Sequence, residues 1–401
     1  MTYSALEGRR IVVGVCGSIA AYKVCDVISR LRQAQAQIRV MATPHATEFV
    51  GLATLRALSG ANVACEMFDR YPASDIEHIS LGEFGEVLVI VAATANTIGK
   101  VAHGVCDDFL TTTLCAAAGK VIFAPAMNWR MWENPITQRN VRLLTELGYG
   151  FVGPDCGHLA CGDAGSGRLC GTDDILDAID QALGPPDSKL RGLDVLITSG
   201  PTREWLDPVR FICNPSSGKM GFALAREALA RGAKVTVVSG PTALRAPYGA
   251  NVLSVETTDE MAGAVGEHLS HSDVLIGAAA PVDFRPERRA VDKIKKTGDG
   301  LAVRLVPTPD ILADAAGDKG TRIHVGFAAE SQQVTQNAAK KLDAKGLDLI
   351  VANDITAPGS GFAADTNEVV ILSRDGAPRH VGKCGKRQVA VAILDEVERL
   401  R

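Results

Sequence analysis

The segment IVVGVCGSIA, residues 11–20, joins a short strand rich in β-branched residues to a glycine turn and the start of a helix. Ile11 to Val15 is the predicted strand, Gly17 and Ser18 form the turn, and Ile19 to Leu31 has the apolar spacing of an amphipathic helix. Backbone N–H groups and the positive end of a helix dipole converge at such a turn, which suits an anionic phosphate. The spacing is not the full G-x-G-x-x-G fingerprint, which favours one phosphate over a pyrophosphate. A glycine turn needed only for packing is the alternative.

The same alternation of strand and helix continues through the first half of the chain. Further strand patterns lie at residues 38–42, 87–92, 121–123 and 151–152. Helical patterns separate them at about 45–58, 94–103, 108–118 and 133–147. Such alternation predicts an α/β fold with a parallel sheet covered by helices on both faces.

Two consecutive prolines, Pro185 and Pro186, interrupt the chain within a polar segment. We therefore expect two domains, residues 1–187 and 188–401. The alternation restarts beyond the prolines, with strands at 195–197, 235–238, 274–276, 325–328, 349–352 and 369–372 and helices at 218–231, 261–269 and 388–400. The second domain is predicted to be another Rossmann-like, nucleotide-binding α/β domain and not a repeat of the first, because the glycine motifs of the two halves differ.

The composition restricts the class of protein. With 46% hydrophobic residues among 401, the chain has enough material for two buried cores. A formal net charge of -4 gives no reason to expect binding to nucleic acid or to a membrane surface. We expect neither a leader peptide nor a membrane span, since no apolar run approaches the roughly 20 residues that a span needs. Ten cysteines, scattered singly, favour reduced thiols and a cytoplasmic protein.

Four motifs of the first half occur in a fixed order: GVCGSIAAYK at 14–23, ATANT at 93–97, PAMNWRMW at 125–132 and ACGD at 160–163. Together they resemble the homo-oligomeric flavin-containing cysteine decarboxylases, although Cys16 and Ala93 replace that family's usual serine and proline. The resemblance implies a flavodoxin-like parallel-sheet flavoprotein domain. It also implies FMN, bound by Gly17, Ser18, Ile19, Thr43, Thr94, Asn96 and Thr97.

The resemblance further assigns three catalytic residues. His78 is the base of the oxidative half-reaction, a role that suits an imidazole titrating near neutral pH. Asn128 holds the substrate carboxylate, and Cys161 donates the proton when the reduced flavin returns its electrons. The alternatives are a surface histidine, a turn asparagine and a zinc site. The zinc site would use Cys156, His158, Cys161 and Cys170, but no Cys-x-x-Cys pair supports it.

A second anion site is predicted at NPSSGKMG, residues 214–221, where small residues, helix N–H groups and Lys219 come together. It is not a Walker A loop, because Met220 follows the lysine. Related motifs follow at 277–283, 293–296, 309–312, 326–330 and 352–354. With TSGPTRE at 198–204 and DPVRFI at 207–212, they resemble phosphopantothenate–cysteine ligase, which in bacteria is joined to the decarboxylase in one chain.

The ligase resemblance implies that CTP activates the carboxylate of 4′-phosphopantothenate as an acyl-cytidylate, which the amine of cysteine then attacks. Asn214 would stabilise that intermediate, beside the unusual Pro215, and Asp283 would contact Mg2+. Lys293 would be a catalytic residue that contacts the phosphates and the developing negative charge. The implied substrate-binding residues are Arg210, Asn214, Ser216, Ser217, Gly218 and Lys219. The implied nucleotide-binding residues are Gly277, Ala278, Ala279, Asp283, Lys293, Pro309, Asp310, Ile311, Leu312, Phe327, Lys341 and Lys345.

Structural alternatives remain open for several of these residues. Lys293 belongs to a charge run that is usually solvated, Lys341 and Lys345 can be ordinary surface lysines, and Phe327 can be a core aromatic. For the whole chain, a non-catalytic flavin-binding regulatory protein and a decarboxylase of C-terminal peptide cysteines are the rivals. The first predicts loss of the catalytic residues, and the second gives the second half no role. The resemblance also implies decarboxylase trimers joined through ligase dimers.

Overall fold

In a computed structural model, the strand expected at 11–15 runs from Arg10 to Val15 and lies inside a parallel sheet. The structure describes residues 4–67, 77–158, 164–296, 300–330, 333–354, 364–374 and 376–401. The chain forms two compact units, Met1–Leu183 and Gly184–Arg401. In the described part, no helix is both long enough and apolar enough to cross a membrane.

The first unit contains eight strands and eight α-helices among its described residues. The strands are β1 Arg10–Val15, β2 Gln37–Ala42, β3 Val63–Ala64, β4 Val87–Ala93, β5 Lys120–Pro125, β6 Gly150–Phe151, β7 Asp155–His158 and β8 Ala164–Arg168. The helices are α1 Val24–Gln33, α2 Leu52–Ser59, α3 Glu77–Phe84, α4 Ala95–Ala102, α5 Phe109–Cys115, α6 Trp129–Trp132, α7 Pro135–Glu146 and α8 Thr172–Ala182.

Six of these strands form a wholly parallel sheet in the order β3-β2-β1-β4-β5-β6. This is the Rossmann order and differs from the 2-1-3-4-5 order of flavodoxin. The α/β class and the parallel sheet are confirmed. Every residue of β4 is buried, as the apolar run VLVIVAA predicts for a strand covered on both faces. The core places Leu88, Ile90 and Phe123 of the sheet against Phe109 and Leu110 of α5.

The helix predicted from Ile19 to Leu31 is in fact two helices. A 3₁₀ helix, Ile19–Lys23, precedes α1. The Ser18 hydroxyl accepts a hydrogen bond from the Ala20 amide at 3.4 Å and donates one to the Ala126 carbonyl at 3.1 Å. These bonds hold the turn against the loop after β5, and tight 3₁₀ turns are common at such helix starts.

The second unit contains twelve strands and five α-helices among its described residues. Its strands are β9 Asp194–Ser199, β10 Arg203–Trp205, β11 Phe211–Cys213, β12 Lys234–Ser239, β13 Asn251–Ser254, β14 Val274–Gly277, β15 Phe284–Pro286, β16 Leu305–Pro307, β17 Ile323–Glu330, β18 Leu349–Asp354, β19 Thr366–Ser373 and β20 Arg379–Gly385. Its helices are α9 Lys219–Ala230, α10 Thr258–Leu269, α11 Ile311–Ala316, α12 Val334–Ala344 and α13 Lys386–Leu400.

Eight strands form the main sheet in the order β13-β12-β9-β14-β17-β18-β19-β20. The first six are parallel in the Rossmann order, and the last two are antiparallel. Successive residues of β14 point to opposite faces, so Ile276 packs in the cluster that includes α9 and α13, and Leu275 packs in the cluster that includes α10 and α11. Two short ribbons, β10–β11 and β15–β16, lie outside this sheet.

Candidate functional site

A cavity of about 690 Å³ lies at the carboxyl ends of β1, β4 and β5 in the first unit. β1 pairs with β2 on one side and β4 on the other, so the cavity lies where the strand order reverses, the usual ligand position in open α/β sheets. The predicted residues Gly17, Ser18, Ile19, Thr94 and Asn128 line it. Ala20, Tyr22, Lys23, Met127, Met131 and Arg168 also line it and were not predicted.

The glycine turn packs closely against His45 and also lines the cavity. A Cβ atom on Gly17 would lie 2.5 Å from the Cβ of His45, so packing alone demands glycine there. The Ser18 amide donates to the Cys16 carbonyl at 2.9 Å, which tightens the turn. The packing interpretation therefore explains Gly17, and the ligand interpretation rests on the position of the turn beside the cavity.

The threonines of the second motif organise the wall of the cavity. Thr94 caps α4, because its hydroxyl accepts a hydrogen bond from the Thr97 amide at 3.2 Å. Thr97 in turn donates from its hydroxyl to the Cys16 sulfur at 3.3 Å. Burial raises the pKa of Cys16 to about 11, so this thiol stays protonated and structural. Thr97 is buried behind the wall, and the exposed Asn96 is also absent from the cavity lining.

Thr43 has an unsatisfied polar atom. It follows β2, is 7% exposed and lies outside the cavity lining. Its hydroxyl Oγ1 has no hydrogen-bond partner among the described residues. A buried hydroxyl without a partner costs stability, and a ligand that hydrogen-bonds to it would remove that cost.

Asn128 and two strands form another part of the cavity. Asn128 caps α6 through its Oδ1, which accepts from the Arg130 amide at 2.9 Å. The antiparallel strands β7 and β8 contribute His158, Gly167 and Arg168 to the lining. The Met127 amide donates to the Gly167 carbonyl at 2.9 Å, which joins β8 to the loop after β5.

Cys161 lies outside the described residues, between β7 and β8. The zinc alternative gains no support from the described part of the chain, where no three candidate metal ligands cluster. Cys170, one of its proposed ligands, is buried and donates its thiol to the Val152 carbonyl at 3.5 Å.

His78 is not brought into the cavity of its own chain. It lies on α3, half-buried, and its ring meets the Phe109 ring edge-on at a centroid distance of 6.5 Å. It is absent from the residues that line the cavity.

The second unit has a cavity of about 560 Å³ at the carboxyl ends of β9, β14, β17 and β18. β9 pairs with both β12 and β14, so this site also lies where the strand order reverses. The cavity lining includes these predicted nucleotide-binding residues: Gly277, Ala278, Ala279, Asp283, Pro309, Asp310, Ile311, Leu312, Phe327, Lys341 and Lys345. Phe327 also packs against the core, so both interpretations of it hold.

The charges around this cavity are mostly positive. Its lining contains four lysines and two aspartates, a formal excess of two positive charges (4 - 2). Lys345 contacts the Asp310 carboxylate at 2.8 Å. Although burial opposes it, this contact and the Ala313 amide lower the pKa of Asp310, which therefore stays ionised. Such a cavity favours a ligand with several negative charges.

Two lysines from distant segments meet near the start of α9. Lys219 is the first residue of α9 and contacts Asp365 at 2.7 Å. Lys386 is the first residue of α13, is only 8% exposed and lines the same cavity. Burial, and then the positive charge of Lys219, lower the pKa of Lys386. Lys386 was missed by sequence analysis, as was the lining residue Asn367, whereas the lining residues Thr198 and Asn353 lie in the quoted motifs at 198–204 and 352–354 without an assigned role.

Asn214 joins two loops of this site. Its side-chain nitrogen Nδ2 donates to the Pro281 carbonyl at 2.8 Å and lies 3.4 Å from the Ala280 carbonyl. Ser216, Gly218 and Lys219 line the cavity with it.

Three other predicted residues are absent from this lining. Arg210 contacts Asp207 at 3.0 Å and donates to the Ile294 carbonyl at 3.1 Å. Ser217 accepts at its carbonyl from the Thr242 hydroxyl at 2.9 Å. Lys293 is exposed.

Two family models match the chain. The DNA/pantothenate metabolism flavoprotein C-terminal domain matches residues 190–400, and the Flavoprotein model matches residues 2–184. The coenzyme A biosynthesis bifunctional protein CoaBC of Bacillus subtilis (strain 168) is 43% identical over 397 residues, with 98% of both chains covered. That of Escherichia coli (strain K12) is 42% identical, with 93% of this chain and 92% of the relative covered.

Solved structures show weaker likenesses. The C-terminal domain of a coenzyme A biosynthesis bifunctional protein CoaBC is 39% identical, covers 53% of this chain and 96% of its own, and has a TM-score of 0.46. A PPC decarboxylase mutant complexed with pantothenoylaminoethenethiol is 30% identical, covers 43% of this chain and 97% of its own, and has a TM-score of 0.39.

Proposed function

Because the chain belongs to the family of coenzyme A biosynthesis bifunctional proteins, we propose that each compact unit holds one of two active sites. The chain is an enzyme of two consecutive steps of coenzyme A biosynthesis, ligation of cysteine to 4′-phosphopantothenate and decarboxylation of the product. We assign the ligation to Gly184–Arg401 and the decarboxylation to Met1–Leu183.

One observation carries this assignment. In each unit a cavity lies at the reversal of strand order, and the motif residues of the matching activity lie in its wall. Ser18 and Asn128 line the cavity of the first unit, and Asn214 and Lys219 line that of the second.

The excess of positive charge in the second cavity supports CTP as its co-substrate. A triphosphate and a phosphorylated acid both carry negative charge, which the lysines offset. Asp283 is the residue that would contact Mg2+. No three candidate ligands cluster in the described part of the chain, so the ion would take its other ligands from water and phosphate oxygens, as Mg2+ commonly does. Bound there, Mg2+ would neutralise charge on the triphosphate.

The ligation proceeds in two displacements. A carboxylate oxygen of 4′-phosphopantothenate attacks the α-phosphorus of CTP and pyrophosphate leaves, which gives the acyl-cytidylate. The amine of cysteine then attacks the acyl carbon, loses a proton and releases CMP. Asn214, whose side-chain nitrogen donates to the Pro281 carbonyl, would contact the acyl-cytidylate. Lys219 and Lys386 supply positive charge for the phosphate of the substrate.

The first cavity fits FMN. Thr43 follows β2, where its amide donates to the Val15 carbonyl at 2.9 Å, and its buried hydroxyl has no hydrogen-bond partner among the described residues. Ile19, Tyr22 and Met131 are exposed apolar side chains in the lining, at 62%, 60% and 48%. A phosphate would bind at the turn formed by Gly17, Ser18 and Ile19. When bound, FMN would remove two electrons from the cysteinyl thiol side and return them after CO2 has left.

The side chains of the first unit would move the protons of this reaction. Asn128 would hold the substrate carboxylate that is lost as CO2, and its amide suits an anion. His78 would accept a proton during oxidation, and Cys161 would donate one to the enethiol. His78 lies outside the cavity of its own chain, so we place it beside the flavin of a neighbouring copy.

We therefore propose a homo-oligomer with decarboxylase trimers joined through ligase dimers. Exposed apolar side chains support contacts between copies. In the second unit Phe284 and Leu305, on the paired strands β15 and β16, are 52% and 44% exposed. We also propose a cytoplasmic location, where CTP and reduced cysteine are both available.

The test uses the purified full-length chain with 4′-phosphopantothenate, cysteine, CTP and Mg2+. We expect 4′-phosphopantetheine, CO2, CMP and pyrophosphate, together with the absorption spectrum of a flavin. ATP in place of CTP should give little product. A colourless protein after reconstitution, or one indifferent to CTP, would contradict the corresponding half of the proposal.

A further inference from the structure

The motif TSGPTRE, at 198–204, holds the loop that follows β14. The Ala279 amide of that loop donates to the Thr198 hydroxyl at 3.2 Å. The Ala280 amide donates to the Gly200 carbonyl at 2.9 Å. Alternate residues of the motif therefore bind successive parts of a loop that lines the cavity of the second unit.

Thr202 continues this series of contacts at Val282. The Thr202 hydroxyl accepts a hydrogen bond from the Val282 amide at 2.9 Å. It also lies 2.8 Å from the hydroxyl of Thr258, which donates to the Val282 carbonyl at 3.4 Å. Both threonines are fully buried, and neither lines the cavity. Together they contact both the amide and the carbonyl of one residue of the loop.

The direction of each bond in this group follows from the number of hydroxyl hydrogens. A threonine hydroxyl has one hydrogen, and that of Thr258 goes to the Val282 carbonyl. Thr202 therefore donates its own hydrogen to Thr258 and accepts from the Val282 amide. Removing the Thr202 hydroxyl would break two of these bonds and leave a buried amide without its partner.

Thr258 is itself fixed at the start of a helix. It is the first residue of α10, and its amide donates to the Glu204 carboxylate at 2.8 Å. Glu204 is the last residue of the motif and is only 4% exposed. The helix dipole favours a carboxylate at this end of α10. The motif, the helix and the loop therefore form one hydrogen-bonded unit.

Asp283 directly follows the residue that this unit holds, and it lines the cavity. The Thr308 hydroxyl donates to the Val282 carbonyl at 2.6 Å, and the Thr308 amide donates to the Asp283 carbonyl at 3.0 Å. We propose that Thr202 is a positioning residue of the ligation, which holds the backbone of Val282 so that the Asp283 carboxylate meets the Mg2+ of the bound nucleotide. This inference rests on the metal contact assigned to Asp283 in the proposed function.

The experiment measures ligation by the full-length protein with its flavin while CTP and free Mg2+ are varied. We expect Thr202→Val to lower kcat/KM for CTP about tenfold to a hundredfold, because small displacements of a positioned group have effects of this size. The Mg2+ concentration for half-maximal rate should rise, and the KM for cysteine should not change. Thr202→Ser keeps the hydroxyl and should stay within about threefold of the wild type. Thr236→Val, at a half-buried threonine on β12, is the matched control.

Thr258→Val provides a second, milder test. The Val282 amide keeps its bond to Thr202 in this variant, and Thr308 still donates to the Val282 carbonyl. The requirement for Mg2+ should therefore rise less than in Thr202→Val. Urea titrations will show whether each variant is folded. A variant that is merely less stable has fewer active molecules, which lowers kcat but leaves the Mg2+ requirement unchanged, and that result would contradict the inference.

Asp283→Asn separates this inference from the proposed function. In the Asp283→Asn background, Thr202→Val should raise the Mg2+ requirement little further, because residues that act through one another are not additive. An unchanged Mg2+ requirement in Asp283→Asn alone would remove the proposed metal contact, and the inference with it. A raised requirement in Asp283→Asn but not in Thr202→Val, or effects of the two changes that simply add, would overturn the inference alone.

Discussion

The side-chain nitrogen of Asn214 and the backbone carbonyl of Pro281 are joined by a hydrogen bond of 2.8 Å. This bond fixes Asn214 against the loop that follows β14, inside the cavity of the second unit. We expect Asn214→Ala to lower the rate of ligation at least about a hundredfold, the usual loss when a positioned polar contact to a transition state is removed.

The Asn214 prediction has an internal and an external control. Decarboxylation of supplied 4′-phosphopantothenoylcysteine should continue at the wild-type rate in Asn214→Ala, because that activity is assigned to the first unit. Asn251→Ala changes an exposed asparagine on β13 and should leave both activities intact. Ligation in Asn214→Ala within about threefold of wild type would contradict the role given to this residue.

Cys161→Ser should separate the two halves of the decarboxylation. A hydroxyl is a much weaker acid than a thiol, so oxidation and loss of CO2 should proceed while protonation of the enethiol slows about a hundredfold or more. Single-turnover absorption should therefore show a flavin that stays reduced, with ligation unaffected. Cys156→Ser, on β7, is the matched control and should reoxidise normally. Equal reoxidation in both variants would remove Cys161 from the mechanism.

Lys386→Met should weaken binding of the phosphorylated substrate. Removing one of the four lysines around the cavity should raise the KM for 4′-phosphopantothenate about tenfold, which corresponds to about 1.4 kcal/mol. Lys340→Met, an exposed lysine on α12 outside the lining, should change the KM little. Equal KM values for the two variants would contradict a role for Lys386 in binding.

The same lysine predicts a pH dependence. Burial and the charge of Lys219 lower the pKa of Lys386, so its charge is lost at a lower pH than that of an ordinary lysine. The KM for 4′-phosphopantothenate should therefore rise earlier on the alkaline side in the wild type than in Lys386→Arg, whose guanidinium stays charged. Identical alkaline profiles would show that another group controls binding.

Thr43→Val tests whether the unpaired hydroxyl serves the flavin. Replacing a buried hydroxyl without a partner by a methyl group of similar shape should leave the flavin-free protein as stable, or about 1 kcal/mol more stable. If FMN supplies the missing partner, its Kd should rise about threefold to tenfold in the variant. Thr47→Val, at a half-buried threonine nearby whose hydroxyl donates to the Pro44 carbonyl at 2.7 Å, is the control and should leave the Kd for FMN unchanged. A lower stability of the flavin-free variant with unchanged FMN affinity would contradict this prediction.

The sequence predicts those parts of the fold that depend on local pattern. The apolar run of β4 and the amphipathic stretch of α7 have the spacing of a buried strand and a surface helix, and both were predicted at nearly their observed positions. The two-residue strand β3 and the ribbons β10–β11 and β15–β16 were missed. β3, β15 and β16 pair with strands that are distant in sequence, whereas β10 and β11 have only three residues each, too few to show a repeating pattern.

The candidate site residues also divide into those that a local motif identifies and those that only the tertiary fold brings to the cavity. Gly277 and Asp283 lie in one short motif, and the structure places both at the cavity. Lys386 has no such motif, because it reaches the cavity only when the antiparallel strands β19 and β20 bring the chain back to the start of α13. Lys293 belongs to a recognisable motif, yet the structure leaves it exposed and outside the lining. A motif identifies residues that act together, but only the tertiary fold decides which of them share a surface.

His324 predicts how the stability of the second unit depends on pH. Its side chain is fully buried on β17, and neither ring nitrogen has a hydrogen-bond partner among the described residues. Burial, then the charge of Lys319, lower the pKa of His324 from 6.5 to about 4, with Arg322 adding to the effect and Asp348 opposing it. The folded unit therefore holds this histidine neutral, whereas the unfolded chain protonates it near pH 6.5.

This difference in proton binding makes the free energy of unfolding depend on pH. Below pH 6.5 the unfolded chain binds more protons, so the free energy of unfolding falls as the pH falls from 6.5 to about 4, by at most about 3 kcal/mol. His324→Leu should remove this part of the acid sensitivity while changing stability little at neutral pH. Urea titrations at a series of fixed pH values will measure this change in the free energy of unfolding. Unfolding of the second unit will be monitored by its susceptibility to proteolysis. His268→Gln is the control, since its ring already bonds the Ala264 carbonyl at 3.0 Å. Equal losses of stability towards acid in the wild type and in His324→Leu would contradict this prediction, because the pH dependence would then come from other titrating groups.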